Sequence, residues 1–182
     1  DAKSMYTNID TNHALAVIAK YLRKSREYKQ PELLISALEL VMRNNVFKFG
    51  DTFWKQLSGT AMGTPPAPMY ATLYYGIHEL EMFKYFLDVV PFYKRYIDDG
   101  FGVWRCLPNP LDDEREWPRF KAMVHGYGNL RWTFSERRES VEFLDLTLSL
   151  DNRYGIKSTI YDKPLNLHLY IPPSSAHPPG IA

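Results

Sequence analysis

The sequence has a single cysteine, Cys106, so no internal disulfide can form and the usage fits a reducing compartment. It has no apolar run of roughly eighteen residues, which excludes a membrane-spanning helix. No basic-then-apolar leader opens it, so nothing argues for secretion, and an opening Asp in place of Met sets the expectation of a fragment boundary. No charge sign dominates: 22 Lys and Arg stand against 21 Asp and Glu, for a net +1. That sum does not announce a nucleic-acid binder, although a basic stripe depends on distribution rather than on the total. There is no internal repeat, no low-complexity stretch, no phosphate-cradling Walker loop and no Ser-His-Asp order. The five histidines, His13, His78, His125, His168 and His177, show no metal-ligand spacing with Cys106 and read as surface or satisfied core.

What is present is an ordinary globular composition, 45% hydrophobic and 24% charged over 182 residues, which excludes a disordered chain and suits one domain. Aromatics reach 15%, compatible with base stacking and equally with a core and sheet. Asp1 to Ile9 reads as a strand end running into a turn. Thr11 can cap a helix that carries Leu15, Ile18, Ala19 and Leu22 at helical spacing. Pro31 opens a second helix with Leu33, Leu34, Ala37, Leu38, Leu40 and Val41 on its apolar side. Val46 to Trp54 reads as a hairpin turning at Gly50-Asp51. The Gly- and Pro-rich stretch from Gln56 to Pro68 is a loop, and a long helix follows to about Phe86. A second hairpin spans Phe92 to Arg105, a helix Pro110 to Tyr127, and a strand Arg131 to Arg137. Val141–Leu150 then pairs with Gly155–Tyr161, and a Pro-rich tail closes the chain. The expected class is α+β, an antiparallel sheet with helices packed on one face.

The sharpest local feature is Tyr96-Ile97-Asp98-Asp99, between two apolar strand segments and with Asp98-Asp99-Gly100 expected at the hairpin tip. Asp-Gly alone predicts only a tight turn. A second adjacent carboxylate adds something the turn does not need, because two such groups repel unless a cation neutralises them. A hard divalent cation with oxygen ligands is the natural partner. Asp1 is the candidate for a further carboxylate, against the bland reading of a solvated chain end.

Taken in order, these blocks resemble the palm of a reverse transcriptase, most closely the Penelope-like retroelement branch related to telomerase. Asp1, with Tyr6 five residues on and Thr7-Asn8-Ile9 after it, resembles the first catalytic block. Gln56 to Pro68 resembles the Gly-rich second block and leads into a long helix that includes Glu81. Tyr96 to Asp99 is similar to the tyrosine–x–Asp–Asp signature, and Phe143-Leu144-Asp145 follows the strand-like Trp132-Thr133-Phe134-Ser135-Glu136 as in the family. Tyr161-Asp162-Lys163-Pro164 and Ser175-Ala176-His177-Pro178 match downstream blocks. The likeness spans almost the whole chain: residues 1–163 correspond to the palm with partial fingers elements, and 164–182 to a Pro-rich tail or the start of a thumb.

The resemblance implies RNA-directed DNA polymerisation. A primer 3′-hydroxyl attacks the α-phosphorus of a deoxynucleoside triphosphate and pyrophosphate leaves, with an RNA template and a DNA primer as partners. It implies two Mg²⁺ ions (or Mn²⁺) about 3.5–4 Å apart, held by Asp1 and Asp98 with Asp99 in support. Tyr6 would lie under the nucleotide sugar and exclude a 2′-hydroxyl; Gly59 and Gly63 would let backbone approach template or nucleotide. Tyr96 would pack near the primer terminus, Phe143 and Leu144 would grip the primer, and Lys94, Arg95 and Lys163 would contact nucleic acid. Each has its plain alternative, a core tyrosine, loop punctuation, a half-buried strand or a solvated strand edge. A nuclear, intracellular working place goes with a retroelement polymerase.

Departures are visible. Where many reverse transcriptases carry Pro-Gln-Gly, this chain has Ala61-Met62-Gly63, so the nucleotide contact of that Gln falls to Gln56 or is absent. On the resemblance, the fingers and most of the thumb are missing, and no endonuclease module is present. Two further readings stand beside the polymerase: an inactive or truncated palm that binds a primer–template duplex, and an unrelated α+β domain with an acidic turn.

Overall fold

The computed structural model describes residues 1–151, 153 and 155–162. The chain divides into two units, Asp1–Arg137 and Arg138–Ala182, a boundary that falls inside the 1–163 span. The first unit runs α1 (Met5–Asn8), α2 (Thr11–Lys24), α3 (Pro31–Arg43), β1 (Val46–Phe49), β2 (Thr52–Lys55), α4 (Ala67–Met82), β3 (Phe92–Tyr96), β4 (Asp99–Val103) and α5 (Pro110–His125). The second holds β5 (Ser140–Phe143), β6 (Leu146–Asp151) and β7 (Gly155–Ile160). The class is α+β, with small antiparallel sheets.

Helix ends follow local chemistry. Asp10, rather than the expected Thr11, caps α2: its Oδ1 accepts the His13 N–H at 2.7 Å. A carboxylate there also meets the positive end of the helix dipole, which a threonine hydroxyl does not. Leu15, Ile18, Ala19 and Leu22 are all buried, as their spacing predicts. Asn109 caps α5 by accepting the Leu111 N–H, ahead of Pro110 and the first-turn acids Asp112 and Asp113.

Helix α3 is where the pattern misleads. Of its expected apolar face, Leu33, Leu34, Leu40 and Val41 are exposed, and Met42 is the residue that is fully buried. Ile35 and Leu38 complete the packed side, at the i, i+3, i+7 spacing of one stripe. Apolar residues stand almost all round this helix, so periodicity cannot choose a face and packing does. The β1–β2 hairpin turns at Gly50-Asp51 as expected, Phe49 pairing with Thr52 and Gly50 at φ +59°. All eight of its strand residues are exposed.

The core of the first unit forms on α4. Tyr74 and Tyr75 are fully buried, and Ile9, Ile18 and Leu130 join them in the same cluster. Buried hydroxyls need partners. Tyr75 donates to the Val124 carbonyl at 2.9 Å, and the Tyr74 hydroxyl lies 2.6 Å from His13 Nδ1. His78 stacks on Tyr127 at 4.2 Å between ring centres and places Nε2 2.9 Å from the Met123 carbonyl, bonding α4 to the end of α5.

Among the described residues the expected single sheet is instead three separate ones: β1–β2, β3–β4 and β5–β6–β7. The expected strand Arg131–Arg137 is reduced to one bridge, Trp132 to Ala2. The cause is at the other partner: Ser4 turns left-handed at φ 47° and α1 begins at once, so the opening segment is too short to pair further. In the second unit Val141–Leu150 is broken by a turn at Leu144-Asp145, Leu144 having φ 55°. The β6–β7 pairing is as expected.

Burial holds the pKa of His78 below its ordinary 6.5, the bond to Met123 partly opposing. In that range the unfolded chain binds a proton that the folded one refuses. Stability is therefore complete above about pH 6.5 and declines as pH falls through that value toward the depressed folded pKa. Thermal melts followed by circular dichroism should show this acid limb, and a His78→Phe chain should show a flatter one.

Candidate functional site

The β3–β4 hairpin pairs Tyr96 with Asp99, so its two turn residues are Ile97 and Asp98. This corrects the expectation of Asp98-Asp99-Gly100 at the tip. Asp99 opens β4, and Gly100 pairs with Arg95 along the strand. A different demand uses the glycine: a Cβ at position 100 would stand 2.9 Å from the Tyr93 hydroxyl oxygen. The left-handed residue of the turn is Ile97, at φ 51°. A β-branched residue is an outlier there, at an expense of about 1–3 kcal/mol, and it persists only where neighbours fix it.

Arg95 supplies that fixing. Its Nη1 donates to the Ile97 carbonyl at 2.6 Å and its Nη2 to the Thr72 carbonyl of α4 at 3.1 Å. Nε and Nη2 also grip the two carboxylate oxygens of Glu79, at 2.6 and 2.8 Å. The two side chains are only 5% and 15% exposed, so this is an interior pair. The expectation of Arg95 as a phosphate contact is corrected on these bonds: its fork is spent inside the chain. Lys94, next to it, is exposed.

The opening segment reaches the same turn. The Ala2 N–H donates to the Asp98 carbonyl at 2.8 Å. On its other side, Lys3 N–H donates to Arg131 and Thr133 N–H to Asp1, at 2.7 and 2.8 Å. The Asp1 ammonium donates to the Thr133 carbonyl at 3.0 Å. Burial lowers the pKa of that ammonium, while the Asp99 and then the Asp98 carboxylate act to raise it. The Tyr6 hydroxyl is pushed up by burial first and then by Asp98 and Tyr96. Asp1, Tyr6, Tyr96, Asp98 and Asp99 thus share one electrostatic neighbourhood. Asp1, Asp98 and Tyr96 are exposed there, and Asp99 is half-buried.

The donors of this neighbourhood are carboxylate oxygens, the chemistry that Mg²⁺ and Mn²⁺ select. Among the described residues no three His, Cys, Asp or Glu side chains are drawn up together as a ready ligand group. The fit is therefore one of donor type and backbone neighbourhood.

The Gly-rich loop packs on Tyr6 from the chain's own side. Thr60 N–H donates to the Tyr6 carbonyl at 2.6 Å, and a Cβ on Gly59 would come 2.9 Å from the Thr7 carbonyl oxygen. Gly59 also has φ +75°, so both space and backbone require glycine. Gly63, at φ +83°, faces open space, and the Gln56 amide donates to the Ser58 carbonyl of its own loop. Phe143 and Leu144 belong to the second unit, at the end of β5 and the turn after it. Lys163, Pro164 and the Ser175–Pro178 block lie outside the described residues.

Sequence reasoning missed Glu79 and Thr72, which hold Arg95, and Asp113. The Asp113 carboxylate accepts from Trp104 Nε1 at 2.8 Å, Leu107 N–H at 3.1 Å and Arg137 Nη1 at 2.6 Å. The Trp104 bond, more than Arg137, holds its pKa below the ordinary carboxylate value. A carboxylate in the first turn of a helix signals capping, and nothing in its spacing pointed to Trp104. No family model matches the chain, and no curated protein matches it.

Gly59→Ala should lower the unfolding free energy by about 1–3 kcal/mol, since it adds a clash with the Thr7 carbonyl to a left-handed backbone. Urea denaturation measures it. Gly63→Ala, with strain but no clash, should lose less.

Proposed function

We propose that the first unit is a nucleotidyl-transfer palm of the reverse-transcriptase kind, acting on a nucleic-acid primer and deoxynucleoside triphosphates. The observation that carries the reading is the bond from Ala2 N–H to the Asp98 carbonyl. It puts two acid-bearing segments, almost a hundred positions apart in the sequence, side by side at one hairpin turn. An acidic bend alone would give the second segment no reason to have a carboxylate-bearing neighbour.

The chain's residues take these roles. Asp98, in the turn, and Asp1, on the bridged segment, would hold the divalent ions, with Asp99 in support. Bound Mg²⁺ supplies charge neutralisation at the triphosphate and activation of the attacking hydroxyl. The protein's own share is positioning, as in phosphoryl transfer generally. Tyr6, seated between the Gly-rich loop and Asp98, would present a flat face to the sugar of the incoming nucleotide. The loop from Gln56 to Gly63 holds the backbone at that residue by bonding the Tyr6 carbonyl. Tyr96, 61% exposed beside the acids, would meet the primer end. Lys94, exposed one residue before Arg95, would contact phosphate.

The test is metal-dependent extension of an oligo(dT) primer on a poly(rA) template, paired with melting curves in Mg²⁺ or Mn²⁺. The wild-type chain should be stabilised by metal and should extend the primer. Asp98→Asn should lose the metal stabilisation and at least about a hundredfold of the activity. Metal that shifts neither melting curve, or an Asp98→Asn chain as active as the wild type, would end this reading. Primer–template binding with no extension would support the duplex-binding palm instead.

A further inference from the structure

The sequence asks Ile97 to hold a conformation it disfavours, immediately before the acid on which the proposed site turns. Glycine, Asn or Asp would take φ 51° more readily than a β-branched residue. Left to its local preference, this turn would relax and carry Asp98 with it. The turn has only two residues between its paired ends, Tyr96 and Asp99, so any relaxation moves the Asp98 backbone directly.

Beside the Ala2 N–H bond to the Asp98 carbonyl, the turn is restrained at Ile97 by one side chain. Arg95 reaches from β3 to the Ile97 carbonyl, and the other edges of its guanidinium are fixed on α4, by the Thr72 carbonyl and by both oxygens of Glu79. The Tyr75 ring lies against it at 5.2 Å. A planar fork can serve these directions together, whereas a lysine ammonium could pair with Glu79 but could not span Glu79 and Ile97 at once. Burying this pair is expensive, and replacing it with apolar residues would suit the core as well or better. Its presence next to a strained turn calls for a reason other than stability.

We propose that Arg95, oriented by Glu79, is a positioning residue that holds the Ile97–Asp98 turn in its metal-binding form. The proposal rests on the functional reading above. Arg95 touches neither substrate nor ion; it acts through the Ile97 carbonyl on the residue that follows. Removing an outer partner of a metal ligand ordinarily weakens metal binding by about 10–100-fold, and a similar loss is expected here.

The test titrates the full chain with Mn²⁺, reading free ion by electron paramagnetic resonance, for the wild type, Asp98→Asn, Arg95→Lys and Glu79→Gln. Circular dichroism melts run alongside. Wild-type binding that Asp98→Asn abolishes establishes the ion site on its own. Arg95→Lys should then bind Mn²⁺ at least about tenfold more weakly while keeping its helix signal and a cooperative melt. Glu79→Gln, which leaves Arg95 its bonds to Ile97 and Thr72, should weaken binding less, and it decides the matter if Arg95→Lys does not fold. A merely structural pair would lower the melting temperature and leave the affinity of the folded chain unchanged. Folded Arg95→Lys or Glu79→Gln chains that both bind Mn²⁺ as the wild type does would overturn the positioning role while leaving the proposed function standing. Binding that is indifferent to Asp98 would overturn both.

Discussion

Residues 1–3 are the joint of the first unit. They bond on one side to Arg131 and Thr133 and on the other to Asp98, so three stretches of chain far apart in sequence meet over a few ångströms. Closing such loops is entropically costly, and the bonds exposed to water return little each. The joint holds because its back is apolar: Ala2, Met5, Ile9, Leu130 and Trp132 are all buried in one cluster with Tyr74 and Tyr75 of α4. Polar function on the outer side is thus supported by a dry inner side. The same arrangement explains why α4 is so aromatic, since one helix must fill the space behind the opening segment, the hairpin and α5 together.

Two ion pairs mark the borders of the β3–β4 hairpin, the first of them buried. Arg95–Glu79 ties its turn end to α4, and Arg137–Asp113, with the Trp104 indole, ties the segment after β4 to α5. Arg95 and Asp113 each have hydrogen bonds beyond the pair itself, which is the condition for an interior charge to be tolerable. Between these anchors the hairpin itself is light. Glycines at 100 and 102 leave room for the Tyr93 ring, and Tyr93 in turn packs on Phe83. A stiff frame around a thin ribbon is suited to presenting one turn at a defined place.

Much of this architecture was legible in the residues. The spacing of Leu15, Ile18 and Leu22 marked the buried face of α2, and Gly50-Asp51 marked its hairpin, because local chemistry decides both. The opening acid and the acid pair were singled out as partners, and their backbones do adjoin. What the residues could not reveal were choices made by tertiary packing. Helix α3 is apolar on too many sides for periodicity to select Ile35, Leu38 and Met42. Asp98-Asp99-Gly100 reads as a turn locally, yet the strand register moves the turn back by one residue to Ile97-Asp98, because the glycine is needed under Tyr93. Arg95 reads locally as a cation on a solvated strand edge, and only its distant partners Glu79 and Thr72 reveal that it faces inward.

The helix α3 and the β1–β2 hairpin leave Leu33, Leu40, Phe49, Phe53 and Trp54 open to water in the folded state. A fully native chain of this kind should take up environment-sensitive hydrophobic dyes, which would fluoresce before any unfolding begins. Its own indoles are the better reporters. Trp132 lies inside the core while Trp54 stands outside it, so their emission colours differ from the start. The red shift on denaturation therefore belongs to Trp132 together with the half-buried Trp104 and Trp117, which pack against the same core.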